Sequence, residues 1–188
     1  RKNPNMKKSI SIILSLLFIV CFSSASAQEQ EHKPDTVTVG IYIVSIHDID
    51  FKEKEYAINF WIWLKYKNKK FDFEKNLEVP QAKTVDKTFS IIDTSGDVVN
   101  MQMKLQCIMK DNWKITNFPF DKQKLRISFE NSQFDSRYLV FKEDTVGNHY
   151  DPRFFLNGWL IDSCVVTNGI KAYETAFGDE SMAVPRTE

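Results

Sequence analysis

Apolar and polar residues alternate with a period of two along most of this chain. Over 36–46, Val37, Val39, Ile41 and Ile43 share one face, and Thr36, Thr38, Gly40 and Tyr42 share the other. Over 56–66 the pattern is stronger: Tyr56, Ile58, Phe60, Ile62, Leu64 and Tyr66 fall on one side. Met101, Met103, Leu105, Cys107 and Met109 repeat it. Side chains in a strand point alternately to its two faces, so each run predicts a strand with one face on a core. The methionines therefore form a core stripe, not a metal site. Shorter alternations predict strands over 125–129, 138–141 and 158–166, and weaker ones over 77–79 and 89–92. No helical spacing appears outside an apolar run near the start. Short strands separated by turn signals imply an all-β sandwich or barrel.

Two places depart from the simple pattern. The first is the polar face of the 56–66 strand, where Trp61 and Trp63 sit beside Asn59 and Lys65. Two exposed indoles are costly unless something covers them. Either a partner or ligand does so, since Trp is favoured at binding hot spots and its face attracts cations, or a loop of the same chain does. The second is the stretch Trp113 to Gln123, which contains Phe118, Pro119, Phe120 and Asp121. Pro119 cannot donate to a ladder, so this is a loop. Taken by itself, a Phe-Pro-Phe loop reads best as a hydrophobic plug folded back on the core. The other reading is a loop that meets an apolar partner.

Composition narrows the functional classes. Lys plus Arg equals Asp plus Glu at 25 each, so no charge excess argues for nucleic acid or an anionic membrane surface. Met6, Lys7 and Lys8, the apolar run 10–22 and the small residues 23–27 predict a secretory signal peptide over 6–27, cut before Gln28, with 1–5 upstream of the start. The mature chain, 28–188, is then expected on the periplasmic side of a bacterial membrane. The apolar run is short for a spanning helix, which needs ~20 residues. Of the cysteines, Cys107 and Cys164 would remain; two buried thiols fit their surroundings, and one disulfide fits if their strands face each other. His32, His47 and His149 have no ligand-type spacing, so no metal or other cofactor is expected, and the histidines read as loop or exposed residues. No nucleophile–base arrangement or phosphate loop is present, so an enzyme is not expected and no catalytic residue is assigned.

The residues Phe118-Pro119-Phe120-Asp121, then Gln123, resemble the signature loop of pentameric ligand-gated ion channels, the Cys-loop receptor superfamily. Val37, Val39 and Gly40, followed by Asn59, Trp61 and Tyr66, resemble the first two strands of that family's extracellular domain. The resemblance implies an immunoglobulin-like β-sandwich that binds a small-molecule ligand or a proton between subunits of a homopentamer. Trp61, with Trp63 beside it, would lie on one side of that interface, and the turn from Ser132 to Asp135, with Phe134, on the other. The turn from Asp50 to Glu55 and the Phe118–Asp121 loop would face a membrane pore domain. Ser132 stands where a cation-binding Trp is usual, so a quaternary-amine cage is in doubt. The loop-bracketing cysteines would fall at Asp111 and Leu125 and are absent, as in bacterial members. Closure of the loop is then expected from packing of Phe118 and Phe120 and hydrogen bonds of Asp121. The pore helices are not within this sequence, and the sandwich is expected to lack its last hairpin. A secreted, pore-less pentamer of the same fold and an unrelated carbohydrate-binding β-sandwich are the alternatives.

Overall fold

A computed structural model describes residues 33–117, 119–146, 149–178 and 186–187. The signal peptide, His32 and Phe118 lie outside the described residues. The fold is all-β. Its main element is a five-stranded sheet in the order β4-β5-β2-β1-β7, formed by β1 (Asp35–Asp50), β2 (Glu55–Tyr66), β4 (Ala82–Asp93), β5 (Val99–Lys110) and β7 (Leu139–Glu143). β7 runs parallel to β1, and the other neighbours are antiparallel. Two short ladders accompany it: β3 (Leu77–Glu78) with β6 (Glu130–Asn131), and β8 (Ala172–Tyr173) with β9 (Arg186–Thr187). One helical turn, Phe73–Asn76, is capped by Asp72, whose side chain accepts from the Lys75 amide. Among the described residues no helix is long and apolar enough to cross a membrane.

β2 lies at the centre because both of its faces have work to do. Tyr56, Ile58, Phe60, Ile62, Leu64 and Tyr66 are all buried, as their alternation predicts. Burying one such side chain contributes about 2 kcal/mol, whereas intrinsic strand preferences span only ~1 kcal/mol in total. Burial therefore sets the register, and a one-residue slip would turn the whole set outward. β5 pairs with β2 along its full length without a bulge, from Glu55↔Lys110 to Tyr66↔Val99. Its stripe of Met101, Met103, Leu105, Cys107 and Met109 is buried against the same core.

β4 is longer than the sequence suggests and forms one edge of the sheet. Two register shifts interrupt its pairing, and Lys83, Asp86 and Lys87 lie along it. Bulges and charges on an edge discourage pairing with a further strand.

The segments 125–129 and 158–166 differ from expectation. Leu125, Ile127 and Phe129 pack on the core, and so does Val166, but neither 125–129 nor 158–166 forms a strand. Alternation reports which side chains are buried, not whether the backbone finds a ladder partner. Around 124–126 the backbone carbonyls are instead taken by side chains: Trp113 Nε1 donates to Lys124 O at 3.2 Å and Tyr56 Oη to Arg126 O at 2.8 Å. The strand expected over 138–141 is present as β7, displaced by one or two residues. Beyond 166, Ala172↔Thr187 and Tyr173↔Arg186 pair antiparallel. Cys107 and Cys164 are both free thiols; Cys107 is buried and Cys164 is half-buried. Burial, with the Asp86 charge adding to it, pushes the Cys107 thiol up to about 11.

Gly40 shows how tightly β1 and β2 meet. It pairs with Trp63, and a Cβ built on Gly40 would collide with the Trp63 indole. The ring cannot swing aside freely, because Trp63 Nε1 donates to Asp144 Oδ2 at 2.8 Å. Gly40→Ala is expected to destabilise the protein by about 1–3 kcal/mol through overpacking. A urea midpoint equal to that of the unchanged protein would show that the indole relaxes without cost.

Candidate functional site

The two tryptophans of β2 have different surroundings, although both point to the outer face. Trp63 is covered by its own chain: Gly40 lies under the ring and Asp144 holds its N–H, with Lys65 at 3.6 Å from the same carboxylate. The hydrogen bond from Trp63 is the foremost reason that the Asp144 carboxyl is held below the usual range. Trp63 is thus anchored by its own chain. Trp61, like Trp63, is half-buried. It pairs with Tyr42 and Lys104 on the flanking strands, its ring meets Phe89 edge-on at 5.5 Å, and Lys104 Nζ stands 5.8 Å from its centroid. The next row outward is open: Phe89 is 45% and Ile91 53% exposed. The outer face here is aromatic, half-open and flanked by a cation.

The turn around Ser132 is built by Asn131, buried in β6, whose Oδ1 accepts from the amides of Gln133 and Phe134 at 3.0 Å each. Ser132 is exposed, with its amide on Asn76 O at 3.0 Å. Phe134 is half-buried and packs edge-on against Phe71 at 4.8 Å, so it serves the core as much as any site. Asp135 is buried and takes a fork from Arg137, with Nη2 at 2.6 Å and Nε at 3.0 Å. Burial pushes the Asp135 carboxyl up, but the Arg137 hydrogen bonds and charge outweigh it, and the net shift is downward.

The end of the chain closes on this turn, which the sequence did not suggest. Arg186 donates to Ser132 O at 3.1 Å, and the Ser136 amide donates to Thr187 O at 2.7 Å. Nearby, Tyr173 donates to Glu130 Oε2 at 2.6 Å and meets Phe177 at 5.5 Å. Arg186 lies over Phe177 at 5.7 Å. These residues are more than forty positions from the turn, and no local motif marks them.

The loops expected to transmit a signal meet at one end of the sheet. Asp50 ends β1, and its Oδ1 accepts from the amides of Lys52 and Glu53. Glu55 opens β2 and pairs with Lys110 at 2.9 Å and Lys83 at 3.1 Å, and these two lysines hold its carboxyl below the usual range. Phe51 contacts Trp113 at 5.4 Å, Lys54 Nζ bonds Asn112 at 2.8 Å, and the Asp111 amide donates to Lys54 O. The turn 51–54 and the loop 111–124 are thus packed on each other.

Within that loop, Asp121 acts as expected: its Oδ1 accepts from the amides of Thr116 at 3.1 Å and Asn117 at 2.8 Å. Gln123 Nε2 donates to Lys114 O at 3.0 Å. The expected packing of Phe120 is corrected, because Phe120 is 87% exposed; Pro119 is exposed too. The loop is closed by polar side chains caught on its own backbone, so the aromatic side chain is not needed as a plug.

A separate cleft of about 280 Å³ lies between 46–49 and 155–159, lined by Ile46, His47, Ile49, Phe155, Leu156 and Trp159 among others. It is not part of the Trp61 face. Among the described residues no group of His, Cys, Asp and Glu is placed to hold a metal ion. The chain matches no protein-family model, and no curated protein is significantly similar to it.

Two outcomes follow from this geometry. Asp121→Ala removes the acceptor for two loop amides and is expected to cost about 1 kcal/mol. It should also speed proteolysis between Lys114 and Lys124, read by mass spectrometry of timed digests. Asp135 has a folded-state carboxyl held low, so its contribution is present above the unfolded value near 4 and is lost as pH falls through the folded value. Asp135→Asn should therefore lower the urea midpoint at pH 7 and close the gap to the parent as pH falls toward 2. A gap that stayed constant with pH would contradict the ionic role.

Proposed function

We propose that this chain is the ligand-binding extracellular domain of a bacterial pentameric ligand-gated ion channel, an immunoglobulin-like β-sandwich whose agonist binds between subunits. The observation that carries the proposal is the packing of the turn 51–54 against the loop 111–124 at one end of the sheet, joined by Phe51–Trp113 and Lys54–Asn112. These are the two segments whose sequences resemble the family's coupling elements. The half-open Trp61 face supports the same reading. Its partners, Tyr42, Phe89 and Lys104, share no residue with those of the Ser132 turn, Asn76 and Arg186. A site between neighbouring copies would need the two to lie on different surfaces of the chain.

On this reading Trp61 contributes the aromatic wall of one half-site and the Ser132 turn the other. Ligand binding favours one of two packings, and the loops at the far end pass that bias to a pore. Ser132 in place of a Trp leaves the second half-site without an indole, and Phe134 is engaged with Phe71, so the pocket is not a quaternary-amine cage.

Trp61→Ala, introduced into the gene together with its pore segment, is expected to raise the half-maximal agonist concentration roughly tenfold or more, in keeping with an aromatic hot spot. Two-electrode recording across a ligand panel and a pH series reads this directly. Unchanged concentration dependence would remove Trp61 from the site, and the absence of any agonist-evoked current would sink the channel reading.

A further inference from the structure

We infer that residues 160–166 form an open strand that pairs antiparallel with the same residues of a second copy of this chain, about a two-fold axis at Ser163. Leu160, Asp162, Cys164 and Val166 alternate with Ile161, Ser163 and Val165, which is strand spacing. Yet the segment has no ladder. It lies outside every strand, and among the described residues none of its backbone groups bonds to another backbone group. The last such bond before it runs from the Trp159 amide to Leu156 O at 3.0 Å. One face is partly used, since Val166 packs on the core and Cys164 is half-buried. The remainder stands in solvent, with Leu160 95% and Val165 78% exposed. An extended run of unpaired N–H and C=O groups is a template for a further strand.

The residues of the segment decide which strand fits. Reversed about Ser163, the segment complements itself: Leu160 meets Val166, Ile161 meets Val165, and Asp162 meets Cys164. Side chains directly opposite each other in an antiparallel pair lie on one face. Each apolar residue therefore finds an apolar partner, and Leu160 and Val165 are covered. A two-fold contact requires such self-complementarity. Charge does not oppose it, because Asp162 is the sole charge in the segment, lies diagonal to its own copy, and has Lys122 at 3.6 Å. The edge at β4 is different. It carries Lys83, Asp86 and Lys87 and two register shifts, whereas 160–166 has neither Pro nor Gly nor a run of charges to turn a partner away. The two-fold pairing is separate from the ring contact proposed above. It can fail while agonist-evoked current stands, and it can form where no current is found.

The test is sedimentation velocity of the secreted chain over a concentration series, in which a monomer–dimer equilibrium is expected. Ile161→Lys combined with Val165→Lys sets like charges opposite each other and should lower the association constant roughly tenfold or more. Val146→Lys, at another exposed apolar position (80%), should leave it unchanged. Cross-linking reads the register. In a Cys164→Ala background, Ser163→Cys places two thiols opposite each other across the axis, and mild oxidation should link the dimer. Thr167→Cys in the same background should not link, because its copy lies about 26 Å along the ladder at strand rise. A monomer at every concentration, a dimer indifferent to the paired lysines, or equal linking at positions 163 and 167 would overturn the inference.

Discussion

The double pairing of β2 is the constraint on which the rest of this structure depends. β1 covers one side and β5 the other, and the β2–β5 ladder runs from Glu55 to Tyr66 without a break. Six alternating side chains on the inner face are buried. Together they tie the register to the hydrophobic core far more strongly than local preference could. Once that register is fixed, the outer face follows. Trp61 must stand between Tyr42 and Lys104, and Trp63 must lie over Gly40. The turn at the end of the β1–β2 hairpin must then reach the segment that follows β5, where the Asp111 amide finds Lys54 O.

The outer face turns one repeated residue type into two different roles. Trp63 donates its N–H to a half-buried carboxylate, a charge-assisted bond of the stronger kind, and Gly40 leaves room for the ring to lie flat. Trp61 has neither feature. Its neighbours are an exposed phenylalanine on an edge strand and a lysine at cation–π distance. Both indoles are half-buried, but only Trp63 is tied to its own chain by a charge-assisted hydrogen bond. This difference gives two surroundings to one residue type at positions two apart on the same strand.

How much of this was legible in the sequence depends on what each signal reports. The strands β1, β2 and β5 were legible because their alternation is long and one face is wholly apolar. The same alternation at Leu125–Phe129 and around Val166 correctly marks inward side chains. It could not reveal that their backbone has no ladder, because pairing depends on segments far away in the chain. Asp121 as a loop clamp was legible from a short acid beside a Pro-containing loop. The exposure of Phe120 was not, because hydrophobicity alone favours burial when nothing signals an external partner. The covering of Trp63 had a readable hint in Gly40, which pairs directly with it. The docking of Arg186 and Thr187 on the Ser132 turn had none, since it joins residues separated by more than fifty positions.

A bias at Trp61 has a short and stiff route to the far end of the sheet. Trp61 and Glu55 are six residues apart on one strand, roughly 20 Å at strand rise. Between these points the β5 ladder is unbroken, whereas the β1 ladder has two register shifts, at 43–45 and 47–50. Glu55 is held by two lysines, one from β4 and one from β5, and across the turn Phe51 packs against Trp113. The loop behind Trp113 is closed by hydrogen bonds from Asp121 and Gln123 and not by apolar packing. Each such bond is worth about 1 kcal/mol net, a scale at which alternative loop packings remain accessible while the sheet, with its buried stripe, does not rearrange. On the proposed reading, the unbroken β2–β5 ladder ending at a loop held by weak polar clamps would suit a two-state coupling element.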